Sequence, residues 1–512
     1  MLFNSYAFIF GFLPLTLAVY CLLGQMVSAR AALLWLTTAS LFFYGWWDPA
    51  YLALLAASIL FNFSIGLLLT RAAQESRPLR RPLLVFGVMA NLGLLGYYKY
   101  SEFFSANLAA LTGIDLQLQA VILPLGISFY TFTQIAYLVD AARGEAKEYN
   151  PISYSLFVTF FPHLIAGPII HHRQVMPQFS NPAIFRFNHT NFAVGITFFA
   201  IGLSKKVVFA DTLATYSSPV FAAAADGASL SAIEAWTGAL AYTLQLYFDF
   251  SGYSDMAVGL SRMFGIILPF NFNSPYQAVN IIDFWRRWHM SLSAFLRDYL
   301  YFSLGGNRLG KLRRYINLLL TMLLGGLWHG AGWTFVVWGA LHGGYLVVNH
   351  AWHALRVQVG FPLGSGTAWG RGIARLFTLL AVIVGWVFFR AESIDAALKL
   401  LAAMGGGNGL MGPETSDLFI AHNQKLAFAR LTAWPSIADI AMFMLAVDHW
   451  FIIGGLLFVA MFAPNSQEWV TGRQTDFPRW RPSPFWASVT AAMLLLCVSQ
   501  MSQVSEFLYF QF

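Results

Sequence analysis

Long apolar segments separated by short polar breaks run along almost the whole chain. A helix needs about 20 mostly apolar residues to cross a bilayer, and the pattern predicts spans of this kind throughout. The predicted spans lie near 6–26, 31–46, 50–70, 82–98, 119–140, 191–210, 236–260, 315–328, 331–352, 373–390, 436–462 and 485–502. The polar stretch at about 404–435 is predicted to be an extramembrane loop. The pattern predicts an all-α, polytopic transmembrane bundle of roughly 11–13 helices.

Composition supports a membrane protein over a soluble one. Of 512 residues, 58% are hydrophobic and 10% are charged, whereas soluble chains carry about 25% charged residues. Aromatic residues make up 17% of the chain, which suits lipid-facing surfaces and interfacial belts. The two cysteines lie in apolar stretches, so they predict neither a disulfide framework nor a thiolate metal site.

The distribution of basic residues predicts an orientation. Arg30 follows the first span, a Trp-Trp-Asp-Pro turn at 46–49 follows the second, and the basic stretch 71–81 follows the third. Basic loops favour the cytoplasm. The N-terminus and the 46–49 turn are therefore predicted to lie outside, and the basic loops inside. The same bias accounts for the net charge of +7 without a nucleic-acid partner.

A short segment at 160–169, Phe-Phe-Pro-His-Leu-Ile-Ala-Gly-Pro-Ile, breaks the apolar pattern. Its two prolines and its glycine disfavour a regular spanning helix. Irregular backbone is tolerated at membrane depth only where protein or a water-filled cavity surrounds it. The segment is predicted to be either a buried re-entrant turn or a plain boundary between helix and loop.

Polar side chains also interrupt the span near 236–260. Asp249, Ser251 and Asp255 lie within Tyr-Phe-Asp-Phe-Ser-Gly-Tyr-Ser-Asp, residues 247–255. Ionisable groups in a span are costly and usually face a bundle interior or a water-filled cavity. We predict that these residues line a cavity. The alternative is a structural role, in which arginine or backbone partners satisfy the two aspartates.

The densest polar region is 283–314, which holds nine charged residues. They are Asp283, Arg286, Arg287, Arg297, Asp298, Arg308, Lys311, Arg313 and Arg314. Apolar residues recur at helical spacing at Trp285, Trp288, Leu292, Phe295 and Tyr299. This spacing predicts one amphipathic helix, which could lie at the membrane surface, although a surface helix leaves His289 unexplained. Arginines beside aromatic rings also suit a nucleotide-bearing, phosphorylated substrate.

His329 follows in Gly-Gly-Leu-Trp-His-Gly, residues 325–330, within an apolar stretch. Imidazole titrates near neutrality, so it can take a proton from a hydroxyl or thiol and return it. From the residues alone, two roles remain open for His329. It could be a general base, or a histidine that is hydrogen-bonded to a neighbouring helix. Most other histidines are predicted to be loop or interface residues. These are His171, His172, His189, His342, His350, His353, His422 and His449.

Four segments in this order resemble the membrane-bound O-acyltransferase family. They are Phe-Pro-His-Leu-Ile-Ala-Gly-Pro at 161–168, the 247–255 segment, Phe-Trp-Arg-Arg-Trp-His at 284–289 and Leu-Trp-His-Gly at 327–330. The sequence is most similar to the bacterial alginate O-acetyltransferase branch, which also acetylates other exopolysaccharides and, in related systems, peptidoglycan. The likeness is strong over 160–330, looser towards the N-terminus and weak beyond about 393.

The resemblance implies helices around a funnel that crosses the bilayer, with re-entrant helices. It implies one domain over 1–512, with a motif-bearing core at about 120–353 and C-terminal helices at about 373–505. It further implies a multi-pass protein of the bacterial inner membrane, acetyl-CoA as the cytoplasmic donor, and no bound cofactor or metal. A periplasmic serine-hydrolase-like partner would complete transfer to a polysaccharide acceptor.

The family's invariant histidine matches His329, and a second histidine of the funnel matches His289. Both are therefore predicted to be catalytic, with His329 either activating the acceptor hydroxyl or first receiving the acetyl group. The residues predicted to bind substrate are Trp285, Arg286, Arg287, Trp288, Asp249, Ser251, Asn307 and Trp328. Relatives that transfer D-alanine share the histidines and accept from a carrier-protein thioester. That activity, a transporter and a scaffold for polysaccharide secretion are the alternatives.

Overall fold

The computed structural model describes residues 1–75, 78–114, 121–146, 150–360, 367–410, 435–472, 480–501 and 507–508. In the segment 435–472, side chains are described from residue 449 onward. Helices occur at every predicted span, and no strand is found among these residues. The predicted all-α fold is confirmed.

The first half of the chain contains eleven α-helices within the described ranges. They are α1 (Leu13–Met26), α2 (Ala29–Gly45), α3 (Ala50–Gln74), α4 (Arg80–Leu95), α5 (Ser101–Thr112), α6 (Ile127–Arg143), α7 (Pro151–Thr159), α8 (Phe161–Leu164), α9 (His172–Val175), α10 (His189–Ser204) and α11 (Asp211–Ala225). Three π-helical segments join or extend them, at Ala7–Phe12, Gly96–Tyr100 and Lys205–Ala210.

The second half contains ten α-helices in the part that the structure describes. They are α12 (Ala232–Met263), α13 (Ile281–Trp285), α14 (Met290–Phe295), α15 (Lys311–His329), α16 (Trp333–Gln358), α17 (Ala368–Arg390), α18 (Ile394–Met404), α19 (Pro435–Phe462), α20 (Ser466–Thr471) and α21 (Pro484–Gln500). A fourth π-helical segment, Leu296–Tyr301, continues α14.

Four helical stretches are long and apolar enough to cross a membrane by length and composition, among the residues described. They are Ala7–Met26, Ala50–Gln74, His189–Ala225 and Ala368–Arg390. Helices at several other predicted spans are shorter, as α2 is, or carry more polar residues, as in α12 and α15. Most residues of α12 are buried, so this helix packs inside the bundle, where neighbouring helices satisfy its polar groups.

Three predictions about the elements need correction. The span expected at 119–140 begins only at Ile127, because Pro124 and Gly126 form a turn before it. The single amphipathic helix expected across 283–314 is broken into α13, α14 and a π-helical segment. The helix α11 was not predicted. The loop expected at 404–435 falls mainly on residues 411–434, which lie outside the described ranges.

Close approach of α15 to α16 depends on glycine. A β-carbon at Gly326 would collide with the main-chain oxygen of Phe335, and one at Gly339 would lie 2.5 Å from the oxygen of Met322. The two backbones can therefore pack in direct contact, as small residues allow in membrane bundles. Since His329 is the last residue of α15, this packing fixes the histidine against α16.

Candidate active site

His329 lies in an aromatic enclosure at the C-terminal end of α15. It is 4% exposed, and its ring centroid lies 4.8 Å from that of Trp328, 5.1 Å from Trp338 and 5.2 Å from Phe389. These rings come from α15, α16 and α17. Three helices therefore hold the imidazole in one orientation and keep most of its surface away from bulk water.

His289 approaches the same tryptophan from another element. Its ring centroid lies 6.4 Å from that of Trp328 and 4.7 Å from Phe250 of α12, and the residue is fully buried. The two histidines predicted to be catalytic are thus both brought close to one indole, that of Trp328. Their catalytic role stays a prediction.

The backbone at His289 adopts an unusual conformation. Its φ is +41°, a left-handed value that is uncommon for residues other than glycine. The turn is braced by Asn271, whose main-chain oxygen accepts from Met290 N at 2.9 Å and whose Oδ1 accepts from Ser291 N at 3.2 Å. Strained backbone of this kind concentrates at functional sites. The break that the helical spacing missed is therefore what turns His289 inward.

Lys99 and Tyr100, which were not predicted, bind the end of the helix that carries His329. Lys99 Nζ donates to the main-chain oxygens of Trp328 at 2.6 Å and His329 at 3.2 Å, and Tyr100 Oη donates to that of Leu327 at 2.8 Å. The last carbonyls of a helix have no partner within it, and a cation there also complements the helix dipole. A lysine in an apolar stretch was the signal that could have indicated this contact.

A cavity of about 80 Å³ lies beside His329. Lys99, Ser128 and Ile165 are among the residues that line it, together with Trp328. Its other wall is formed by residues 123–129, which are the turn before α6 and the first residues of that helix. Next to this wall, Tyr51 Oη donates to the oxygen of Ile122 at 2.9 Å. Tyr51 follows the 46–49 turn that is predicted to lie outside. The cavity beside the histidine therefore lies on the same side of the bundle as that turn.

The 160–169 segment is irregular and buried, as the re-entrant alternative predicted. After α7, only the four residues of α8 are α-helical, and every residue from 160 to 170 is buried. His163 Nε2 lies 3.0 Å from the oxygen of Phe157, and Ile169 N donates to Ser291 Oγ at 2.9 Å. The segment thus supports α14, directly after His289.

Asp249 and Asp255 form buried ion pairs. Lys206 Nζ lies 2.8 Å from Asp249 Oδ1 and 3.0 Å from Asp211 Oδ1, while Lys205 Nζ lies 2.7 Å from Asp255 Oδ2. Both lysines belong to the π-helical segment after α10, which turns consecutive side chains towards α12. The geometry favours the structural alternative, but with lysines where the sequence suggested arginines.

Further contacts complete this polar layer. Asp249 Oδ2 accepts from Leu508 N at 3.1 Å, and Asp255 Oδ1 accepts from Ser466 Oγ at 2.8 Å. The ring centroid of Phe507 lies 4.7 Å from that of Tyr253. Ser251 is buried next to these groups. Two elements distant in sequence, α20 and residues 507–508, thus contact the 247–255 segment.

The arginines predicted to bind substrate point in different directions. Arg287 Nε donates to Asp283 Oδ1 at 2.8 Å and its Nη1 donates to the oxygen of Asn273 at 3.3 Å, whereas Arg286 is exposed. Asn307 is also exposed, in the turn before α15. The structure does not bring these three side chains to the histidines. Trp285 and Trp288, in contrast, are buried in the aromatic cluster beside them.

Among the other histidines, His342 was placed wrongly in a loop or interface. It lies on α16, is fully buried, and its ring centroid is 4.9 Å from Trp338 and 5.3 Å from Trp285. His350, His353 and His449 also lie on helices, and His449 is buried. His422 lies outside the described residues.

A second polar cluster joins α6 to the π-helical segment at 296–301. Tyr299 Oη lies 2.9 Å from both carboxylate oxygens of Asp140 and 3.0 Å from His171 Nδ1. The guanidinium carbon of Arg143 lies 5.6 Å from the centre of the Tyr299 ring. The cluster occupies the C-terminal end of α6, whereas the cavity beside His329 lies at its N-terminal end.

Comparisons with known proteins agree with these motifs. The model of the membrane-bound O-acyltransferase family matches residues 83–380. A peptidoglycan O-acetyltransferase of Helicobacter pylori is 41% identical over 543 aligned positions, covering 100% of this chain and 98% of that protein. A probable alginate O-acetylase, AlgI, of Azotobacter vinelandii is 46% identical over 411 residues, covering 79% of this chain and 78% of that protein. A teichoic acid D-alanyltransferase of Bacillus subtilis is 34% identical over 228 residues, covering 43% of this chain and 56% of that protein.

The family match contains all four motifs and most of the helices that build the enclosure around His329. The similarity to the Helicobacter protein extends over the whole chain, including the region beyond 393 where the motifs predicted only a weak likeness. The resemblance and the enzyme class predicted from the motifs are confirmed. The chain is a multi-pass membrane protein and an acyltransferase, and it belongs to the membrane-bound O-acyltransferase family.

Proposed function

We propose that this protein is a bacterial inner-membrane O-acetyltransferase that takes the acetyl group of cytoplasmic acetyl-CoA and passes it outward to an exported, alginate-like polysaccharide. One domain over 1–512, with its catalytic core at about 120–353, performs the transfer. A periplasmic serine-hydrolase-like partner completes delivery to the polymer. The proposal rests chiefly on His329, which lies against a cavity on the side of the turn predicted to be external.

The opposite end of α15 supports entry of the donor from the cytoplasm. This helix begins with Lys311, Arg313 and Arg314 and ends at His329. Its 19 residues span roughly 28 Å, close to the thickness of the hydrocarbon core. A phosphorylated donor attracted to the basic end would extend its thioester along the bundle towards the histidine.

In the proposed reaction, the acceptor hydroxyl attacks the carbonyl carbon of the acetyl thioester. A carbon–oxygen bond forms and the carbon–sulfur bond to coenzyme A breaks. His329 takes the hydroxyl proton and returns it to the leaving thiolate, so the enzyme ends unchanged. His289, whose ring also lies beside Trp328, orients the acyl group. Trp285 and Trp288 exclude water and so limit hydrolysis of the thioester.

Two relatives favour particular alternatives. The Helicobacter protein, named as a peptidoglycan O-acetyltransferase, is similar over the full length, which makes peptidoglycan a second candidate acceptor. The Bacillus protein, named as a teichoic acid D-alanyltransferase, is similar over 43% of this chain, which makes a D-alanyl donor the second candidate reaction. A transporter or scaffold would need neither histidine.

The proposal can be tested in inverted inner-membrane vesicles from the producing bacterium, which keep the partner proteins in place. Acetyl-labelled acetyl-CoA is supplied, and label is measured in polymer digested by alginate lyase or by a muramidase. We expect label in the fraction released by alginate lyase. Label in the muramidase fraction alone would assign peptidoglycan instead, and incorporation only from a D-alanyl carrier protein would overturn the acetyl donor.

The matched control is a histidine remote from the enclosure. His189 is exposed at the start of α10, so His189→Ala should leave the labelling unchanged. A strain that lacks this protein is complemented with either the His189→Ala or the His329→Ala variant, and the two are compared at equal amounts of protein in the membrane. The comparison separates loss of the reaction from loss of complex assembly. Equal labelling by both variants would favour a scaffold or transporter.

A further inference from the structure

The amino end of α6 lies at the cavity beside His329. The helix begins at Ile127, directly after Gly126, and both residues line the cavity together with Ser128. The N–H groups in the first turn of a helix have no acceptor within that helix, and the helix dipole places partial positive charge there. A helix end alone does not define a binding site, so the polar side chains around it decide what it can bind.

Ser128 is a buried residue of this cavity wall, with only 8% of its surface exposed. The N–H of the residue before it, Ile127, donates to the oxygen of Pro124 at 3.1 Å. The N–H of the residue after it, Phe129, donates to the oxygen of Gly126 at 2.9 Å. Neither the N–H nor the hydroxyl of Ser128 is bonded to any residue that the structure describes. Since buried polar groups normally have partners, Ser128 keeps two donors for a group that enters the cavity.

The charges around the cavity favour an anion. No acidic side chain is among the described residues that line it, whereas Lys99 does line it. The Lys99 ammonium donates to the main-chain oxygens of Trp328 and His329, so its positive charge stays at the cavity wall. The amino end of α6 adds the positive end of its dipole. Negative charge that develops in the cavity is therefore stabilised, and more strongly than in water because protein surrounds it.

We propose that Ser128 and the amino end of α6 form the oxyanion hole for acyl transfer at His329. This inference rests on the proposed function, because it takes His329 as the base that activates the acceptor hydroxyl. Donors that are already in place around developing negative charge, in a site with little water, are a major source of rate enhancement in acyl transfer. Ser128 thereby gains a catalytic role that none of the four motifs assigned.

The negative charge arises when the acceptor oxygen attacks the carbonyl carbon of the thioester. A carbon–oxygen bond forms, the π electron pair moves to the carbonyl oxygen, and His329 takes the hydroxyl proton. The N–H and the hydroxyl of Ser128 donate to the resulting oxyanion. The electron pair then restores the carbonyl, the carbon–sulfur bond breaks, and the leaving thiolate takes the proton from His329. Because the oxyanion is absent from the bound substrate, Ser128 stabilises the transition state more than the ground state.

The test compares Ser128→Ala with Ser153→Ala in inverted inner-membrane vesicles supplied with labelled acetyl-CoA. Ser153 is also 8% exposed and also lies in the first turn of a helix, α7, but it is not among the residues that line the cavity. Loss of one donor to an oxyanion lowers kcat by about 10²–10³. We therefore expect Ser128→Ala to lower the maximal rate roughly a hundredfold without changing KM for acetyl-CoA. Ser153→Ala should match the wild type.

Two further substitutions separate the donor from an effect on folding. Ser128→Thr keeps a hydroxyl and should recover part of the rate. Ser128→Cys keeps the approximate size of the side chain but has only a weak donor, so it should stay slow. Thermal midpoints are measured on the same preparations. If Ser128→Ala lowers the midpoint, the comparison of the threonine and cysteine substitutions still decides whether the hydroxyl is required.

A maximal rate in Ser128→Ala equal to that of the wild type would overturn the oxyanion hole. A higher KM at an unchanged maximal rate would also overturn it, because that result indicates binding of the ground state. Failure of the proposed function gives other results. Label taken only from a D-alanyl carrier protein would overturn the acetyl donor, and Ser128→Ala must then slow that transfer, since either thioester forms the same oxyanion. Equal labelling by His329→Ala and the wild type would overturn both proposals.

Discussion

The ammonium group of Lys99 donates a hydrogen bond of 2.6 Å to the main-chain oxygen of Trp328, and a second one of 3.2 Å to that of His329. Lys99 belongs to a π-helical segment more than two hundred positions earlier in the chain. The contact fixes the end of α15 at the residue proposed to perform the chemistry. Lys99 thus acts as a positioning residue for His329.

Replacement of Lys99 should separate positioning from folding. Hydrogen bonds from charged groups contribute about 1.5–3 kcal/mol, so we expect Lys99→Met to lower the acetylation rate by roughly 10–100-fold. Lys99→Arg, which can still donate to both carbonyls, should restore part of the rate. The comparison uses kcat at equal amounts of folded protein. Equal kcat in the wild type and Lys99→Met would contradict the positioning role.

The left-handed backbone at His289 makes a second prediction. Asparagine tolerates positive φ better than most residues, so His289→Asn should keep the thermal midpoint closer to the wild type than His289→Ala does. Both variants should lose activity to a similar degree, because neither carries the imidazole. Thermal unfolding and acetylation are measured on the same preparations. Retained activity in His289→Asn would mean that the turn, and not the ring, is what the site requires.

The ion pair of Lys206 with Asp249 is expected to affect stability. Loss of one partner leaves a buried charge without compensation and costs about 3–5 kcal/mol. Lys206→Met should therefore lower the thermal midpoint strongly, and the double change Lys206→Met/Asp249→Asn should recover part of the loss. The exposed pair between Lys399 and Asp395 is the control, since surface pairs contribute at most about 1 kcal/mol. Equal effects at the two sites would contradict burial as the cause.

The glycine at 126 should resist substitution. Its φ is +71°, and a β-carbon there would lie 3.0 Å from the main-chain oxygen of Leu164. Gly126→Ala should therefore distort the turn that forms one wall of the cavity and lower both stability and activity. Gly113 also has a positive φ, but its β-carbon position meets no atom within 4 Å. Gly113→Ala therefore measures the cost of a positive φ alone, and the additional loss in Gly126→Ala measures the steric clash.

Much of the fold follows from the apolar pattern, because each span is a local property of about 20 residues. The motifs likewise indicated His289 and His329, and the structure brings both to Trp328. The contact of Lys99 with α15 joins residues far apart in sequence, so no local pattern could predict it. The break at His289 was hidden because the apolar residues on either side keep helical spacing.

The polar positions were harder to interpret than the apolar ones. The sequence around Asp249 does not distinguish a residue that lines a cavity from one that pairs with a lysine. The pairing depends on the π-helical turn that directs Lys206 towards Asp249. Arg286 and Arg287 are adjacent in sequence, yet one is exposed and the other is bonded to Asp283. The high frequency of charged residues at 283–314 identified the basic region, but it did not show which of these side chains could contact the same ligand.

The central claim is that His329 is the general base of acetyl transfer. Its most direct test is the rate at which inverted vesicles transfer label from acetyl-CoA to polymer, with wild-type chain and with His329→Ala at equal levels of inserted protein. A positioned base contributes about 10²–10⁴ in rate, so the variant should fall by at least about a hundredfold while His189→Ala matches the wild type. A His329→Ala variant that is folded, inserted and as fast as the wild type would contradict the account.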